Sequence, residues 1–156
     1  MSSQVLTSQA IVAWSRYLRG HASLVRDLNA ELVAEHGLTL NDYEVLLQLS
    51  HAEHRAMRRV DLANEVLLTA SGITRLLEGL ERAGWVSRKT CDSDARVSYA
   101  VLTDEGYEKL RDAGDFHVEG VSRAFGAHFN EEELETLARL LARIGGDADG
   151  AQCTAP

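Results

Sequence analysis

Three groups of side chains in this 156-residue chain have types and spacing suited to chemistry. The first is Thr69, Ala70, Ser71, Gly72, Thr74 and Arg75. Small and hydroxylic residues followed by an arginine let a backbone approach a polar surface closely, while the guanidinium offers a planar fork of donors. The second is Arg88, Lys89, Asp94 and Arg96, a cationic run whose last arginine has a carboxylate two residues before it. The third is Trp14, Arg16, Tyr17 and His21, an aromatic group with a guanidinium that would suit an aromatic carboxylate. The same spacing also serves as a core or interface stripe.

Other candidates carry less. His51, Glu53 and His54 invite a metal reading. The zinc-protease pattern needs a Glu directly after the first His and the second His four residues on, and this run fails it, so no metal site is expected. Cys91 and Cys153 make no disulfide framework, and an inert Cys91 is favoured over a redox switch. His117 falls on an apolar helix face and reads as a packed histidine. The chain has no nucleophile elbow, phosphate-binding loop or dinucleotide fingerprint, so neither an enzyme nor a cofactor is expected.

The elements that must position these groups follow from periodicity. A first long helix is expected from about Val5 to His36, with Leu18, Ala22, Val25, Leu28 and Leu32 as its stripe and Gly37 ending it. Asn41 to Glu44 has capping-box spacing and should open a short buried helix carrying Tyr43, Val45, Leu46, Leu47 and Leu49. His51 to Met57 reads as a polar loop, Arg58 to Val66 as another short helix, and Leu67–Leu68 as a turn. Thr69 should cap a helix with Ile73, Leu76, Leu77 and Leu80 inward and Gly84 at its end. Trp85 to Thr90 and Val97 to Leu102 alternate like strands around a polar turn, giving the one expected β-hairpin. Thr103 should cap a second long helix with a stripe of Tyr107, Leu110, Gly114, His117, Val118, Val121 and Phe125. Asn130 to Glu133 repeats the capping-box spacing before a last leucine-rich helix that ends at Gly145–Gly146.

Composition bounds the rest. Hydrophobic residues are 45% and charged residues 26%, as in a globular domain, and the single proline is Pro156. No apolar run approaches the ~18 residues of a membrane span. With no export signal at the N-terminus, the expectation is a cytoplasmic protein without a membrane partner. The net charge of -8 argues at first against a nucleic-acid partner. Its distribution reverses that. From His54 to Arg96 there are eight basic and six acidic residues, a balance of +2, whereas the remainder carries -10.

Three short helices followed by a hairpin is the order of a winged helix-turn-helix. In such a unit the N-terminal end of the third helix presents small hydrogen-bonding groups to the major groove. An arginine on a thin ribbon suits the narrow, electronegative minor groove. The long terminal helices have no role in a unit of about 65 residues. Their apolar stripes suit pairing with a second copy, which would set two reading helices about 34 Å apart.

The run Leu68-Thr69-Ala70-Ser71-Gly72-Ile73-Thr74-Arg75-Leu76-Leu77-Glu78-Gly79-Leu80-Glu81-Arg82-Ala83-Gly84-Trp85-Val86, then Asp92-Ser93-Asp94-Ala95-Arg96, then Val101-Leu102-Thr103-Asp104-Glu105-Gly106, resembles the MarR family of bacterial dimeric transcription regulators. It matches the family's recognition helix, its wing with the Asp-x-Arg signature, and the Leu-Thr-x-x-Gly entry to the following helix. The resemblance implies a homodimer on palindromic double-stranded DNA, often a repressor released by a small aromatic acid or phenol. It implies that Arg96 enters the minor groove and that Asp94 fixes the wing. Ala95 stands where many members have a second basic residue. An effector pocket between the long helices and the DNA-binding lobe is also implied, and Trp14, Arg16, Tyr17 and His21 are candidates for it.

The expected fold is therefore mainly α with a small β-hairpin wing. Residues 1–37 and 104–146 form a helical dimerisation region, 38–103 a winged helix-turn-helix, and 147–156 a disordered tail. The expected DNA-binding residues are Thr69, Ala70, Ser71, Gly72, Thr74, Arg75, Arg88, Asp94 and Arg96. The competing reading is a dimeric helical ligand-binding or protein-interaction module without DNA binding, and the acidity of the whole chain motivates it.

Overall fold

The structure, a computed structural model, describes residues 8–66 and 68–145. The expectations for Val5, Leu67, Gly146 and the 147–156 tail lie outside the described residues. The chain runs α1 (Gln9–His36), α2 (Leu40–His51), β1 (Ala56–Arg58), α3 (Arg59–Glu65), α4 (Ala70–Arg82), β2 (Val86–Thr90), β3 (Ser98–Leu102), α5 (Asp104–Gly126) and α6 (Glu131–Gly145). It is mainly helical, with one small antiparallel sheet in the order β1-β3-β2.

α1 ends at Gly37, whose N–H donates to the Val33 carbonyl. The next helix is capped two residues before the expected Asn41. Thr39 is the cap: its Oγ1 accepts from the Asp42 N–H at 3.1 Å, and Asp42 accepts from the Thr39 N–H at 2.9 Å. Glu44 lies a turn further in and accepts from Gln48 at 2.9 Å. Burial decides the register. Leu38 is fully buried and Leu40 packs on the core, so the extended residue that caps the helix falls between them. The side chain of Asn29 on α1 also accepts from the Leu40 N–H at 2.9 Å, anchoring α2 to the long helix.

The expected loop at His51–Met57 is instead a tight turn followed by a strand. Glu53–Arg55 forms one 3-10 turn, and Ala56–Arg58 pairs with β3 through Met57 opposite Ala100. His54 and Arg55 both adopt left-handed φ values, 56° and 54°. Such residues persist only where their surroundings over-determine them. Here the Arg55 guanidinium lies 4.2 Å from the Tyr107 ring centroid and 3.2 Å from Asp104. The hairpin thus gains a third strand at its base.

Thr69 caps α4 by accepting from the Gly72 N–H at 3.1 Å. Ile73, Leu77 and Leu80 enter the core from one helix face, as their spacing requires. β2 and β3 then pair from Val86–Leu102 to Thr90–Ser98. Thr103 accepts from the Gly106 N–H at 3.0 Å and donates to the Gly84 carbonyl at 2.7 Å. A Cβ on Gly106 would stand 2.0 Å from the Trp85 carbonyl oxygen, so only glycine lets α5 press against the foot of the wing. The expected box before α6 is present: Asn130 and Glu133 exchange bonds of 2.9 and 3.0 Å.

Among the described residues the core draws on α1 only through Leu32 and on α5 through Leu110 and Ala113, and none of it comes from α6. The rest comes from the segment between Leu38 and Leu102. The stripe read along α1 is therefore divided. Leu32 is buried and Leu28 half-buried, but Leu18, Ala22 and Val25 are exposed. On α5, Leu110 and Gly114 are buried, while Tyr107, His117, Val118, Val121 and Phe125 are half-buried. None of the described helices is long and apolar enough to cross a membrane.

Candidate nucleic-acid interface

The N-terminal turn of α4 exposes Thr69, Ala70, Ser71 and Arg75, with Gly72 and Thr74 half-buried. Its hydroxyls are partly engaged in building the helix. Thr69 Oγ1 caps Gly72 and lies 3.2 Å from Ser71 Oγ, and Thr74 Oγ1 donates to the Ala70 carbonyl at 2.8 Å. Each retains acceptor capacity. Arg75 is exposed and makes no ion pair with Glu78 or Glu81. The first turn carries no acid, so nothing opposes the partial positive charge of the helix start.

The wing tip is fixed by its own sequence. Asp94 Oδ1 accepts from the Arg96 N–H at 3.0 Å and from Arg96 Nε at 3.2 Å. These bonds, the backbone one first, hold the Asp94 carboxyl below its ordinary range. Arg96 remains 91% exposed despite the pairing, so its fork is presented to solvent. Arg88 leans back toward α4, with Nε 3.8 Å from Glu81 Oε1. Lys89 is exposed on the adjacent position of the same strand.

Cys91 is half-buried at the end of β2, where its Sγ lies 3.1 Å from Ser93 Oγ. That bond is the main reason its thiol is held below the ordinary range. No group of three or more His, Cys, Asp or Glu among the described residues could hold a metal.

The aromatic group on α1 divides. Trp14, Tyr17 and His21 form a ladder with ring centroids 6.1 and 6.0 Å apart. Trp14 is 57% exposed and the ladder faces outward in a single protomer. Arg16 leaves the helix roughly 100–160° around from the three rings and does not join them.

Three features of this face carry no role in the sequence reading. Arg58, directly before α3, makes a two-pronged bond to Asp61 at 2.7 and 3.2 Å. Their spacing of three residues at a helix start was an available signal. Arg59 and Ser98 line one cleft between α3, α4 and the wing. They come from distant parts of the sequence, and only the fold brings them together.

Comparison with known proteins agrees with this geometry. The family model described as the MarR family matches residues 36–97. The structure of AbsC, a MarR family transcriptional regulator from Streptomyces coelicolor, is 35% identical, with a TM-score of 0.78 over 88% of this chain and 93% of that one. Sco3205 from the same organism, a MarR family regulator solved in complex with DNA, is 29% identical, with a TM-score of 0.79 over 93% and 91% of the two chains. The HTH-type transcriptional regulator MhqR of Bacillus subtilis is 25% identical over 92% of this chain and 96% of its own. These relatives are regulators rather than enzymes. With a winged helix-turn-helix between α1 and the helices α5 and α6, and a 35% identical relative matched over nearly its whole length, the chain belongs to the MarR family of transcriptional regulators.

Proposed function

We propose that two copies of this chain bind a palindromic operator in double-stranded DNA and repress transcription from it. Each copy reads a half-site with Thr69, Ala70, Ser71, Gly72, Thr74 and Arg75 at the start of α4. Arg96, steadied by Asp94, enters the flanking minor groove. Arg88 serves the wing base through Glu81 and reaches a phosphate only by leaving that pair. One observation carries the reading: an acid-free, hydroxyl-rich helix start stands beside a hairpin whose tip holds a 91% exposed arginine. A relative solved on DNA supports it.

The arms supply the second copy. Ile11, Val12, Leu18 and Val25 on α1, with Leu140 and Ile144 on α6, are exposed in the protomer. Burying them is worth roughly 25 cal/mol per Å² of apolar surface, enough to hold a dimer if most of the stripe is covered. Release by a small aromatic acid or phenol belongs to the same proposal. The Trp14–Tyr17–His21 ladder would form one wall of a cleft closed by the partner. Such a ligand shifts the lobe spacing only through different affinities for the two arrangements.

Fluorescence anisotropy with fragments from upstream of the protein's own gene tests DNA binding. Tight, salt-sensitive binding to one fragment is expected, with strong losses for Arg75→Ala and Arg96→Ala. Retention of neither sequence dependence nor salt dependence would favour the non-DNA module. Calorimetry with salicylate tests the effector arm: Trp14→Ala should lose binding, while Arg16→Ala should keep it.

A further inference from the structure

We propose that Ala70 and Thr74 select thymines in the half-site by contact with their 5-methyl groups; this rests on the DNA-binding reading above. The residue types alone suggest that the hydroxyls of the α4 start all offer hydrogen bonds to bases. Their bonds divide them. The Thr74 hydroxyl donates its only proton to the Ala70 carbonyl at 2.8 Å, one turn back along its own helix. With that branch of the side chain turned to the backbone, the γ-methyl is the other branch. Ala70, exposed at the first position of α4, offers a methyl and nothing else. Ala70 and Thr74 stand one helical turn apart and share a face. Ser71 and Arg75 stand about 100° further round and form a separate, polar pair. The helix start therefore carries two stripes, one apolar and one polar.

Position selects the base. Ala70 and Thr74 both line the cleft that α4 shares with the wing, on the side turned toward Arg96. α4 reads the major groove and Arg96 the adjoining minor groove, so one strand of the duplex passes between them. In the major groove the thymine 5-methyl is the one apolar group of an A·T pair, and it stands at the end of the pattern nearest its own strand. The side of α4 turned to the wing therefore meets the groove wall along which that strand's 5-methyl groups lie. Cytosine and the purines carry no methyl there, so two methyl-bearing side chains on this side favour thymine. Burying one methyl is worth about fourfold in affinity. Arg75, on the neighbouring stripe, reads through its guanidinium and is independent of this contact.

The test is anisotropy at one salt concentration on the selected operator, with each thymine of a half-site replaced singly by deoxyuridine. That exchange keeps the base pair and removes only the methyl. Wild type should lose about fourfold at each of two nearby thymines. Ala70→Gly should bind thymine and deoxyuridine equally at one of them. Thr74→Ser keeps the hydroxyl and lacks the methyl, and it should be indifferent at the other. Thr74→Val keeps the methyl and lacks the hydroxyl, and it should retain the wild-type preference. 5-Methylcytosine placed at either position should bind wild type more tightly than cytosine does. The wild-type series needs no variant, so it stays decisive if one of them folds poorly. A wild type that binds the operator yet tolerates deoxyuridine at every thymine would overturn the methyl contact alone. So would a preference kept by Thr74→Ser and lost by Thr74→Val. Absence of operator binding by wild type would overturn the DNA reading itself.

Discussion

From Leu32 to Ala113 the large apolar side chains, Val33 and Val60 excepted, close on one another, and Leu38, Val45, Leu46, Leu49, Leu62, Leu77 and Leu110 are wholly buried. From Ile11 to Val25, and again at Phe129, Leu140 and Ile144, they face outward. One chain thus carries a lobe that is finished as a protomer and arms that are not. The charges divide on a narrower boundary inside the lobe, with +2 between His54 and Arg96 and -10 elsewhere. The His54–Arg96 segment of the lobe is suited to a polyanion, whereas the arms combine apolar stripes with acidity. A net charge taken over the whole chain averages two surfaces with different partners.

The comparison breaks most sharply at the foot of the wing. Gly106→Ala places a methyl 2.0 Å from the Trp85 carbonyl and should cost more than about 3 kcal/mol, above ordinary overpacking. Urea unfolding of the lobe checks it. Leu77→Ala should cost about 2–5 kcal/mol in the same measurement, because it empties a closed core. Leu18→Ala, at concentrations where the chain is monomeric, should change it by less than about 0.5 kcal/mol. Equal effects would erase the distinction between the two regions.

The arms respond to concentration instead. In the proposed twofold pairing Leu18→Glu removes one seam leucine per copy, which should weaken the pairing by about 3 kcal/mol, roughly 100-fold in dissociation constant. Sedimentation velocity reads this, while the lobe's circular dichroism should be unchanged. Thr69→Ala removes the α4 cap and should destabilise the lobe by about 1 kcal/mol. Operator affinity should fall further than that stability loss alone explains if the hydroxyl also meets DNA.

The smallest effect lies at the joint between lobe and arm. The His117 ring on α5 packs 4.8 Å from the Tyr43 ring on α2. Burial holds the His117 pKa below 6.5, with Glu44 opposing in part. The folded state therefore binds the proton less readily than the unfolded chain. Stability should be full above about pH 6.5 and decline as pH falls from there toward the lowered folded value. A stability–pH series for wild type and His117→Gln checks the sign; the variant should lose this decline.

Much of this division is legible in the sequence, for definite reasons. Gly37 and Gly84 take left-handed φ values after their helices, and Thr69, Thr103 and Asn130 cap theirs. These are local chemistry, readable from a few neighbours. Ile73, Leu77 and Leu80 follow a single period because they face a single core. β1 was hidden because its approach depends on two non-glycine residues in left-handed conformations, held by Tyr107 and Asp104 from far along the chain. The α2 cap is ambiguous in the sequence because Thr39–Asp42 and Asn41–Glu44 both have capping-box spacing, and the burial of Leu38 decides between them. Arg59 and Ser98 lie 39 positions apart in sequence, and no local pattern joins them. Arg16 shows the converse: close spacing to Trp14 and Tyr17 puts it on another side of the same helix.

The most direct test of the central claim is the stoichiometry and footprint of the protein on its selected operator. Sedimentation equilibrium combined with hydroxyl-radical footprinting gives both. Two chains per duplex, with protections centred about 34 Å apart and lost together in Leu18→Glu at low protein concentration, are expected. One chain bound per duplex with a single protected half-site, or a footprint indifferent to Leu18→Glu, would contradict it.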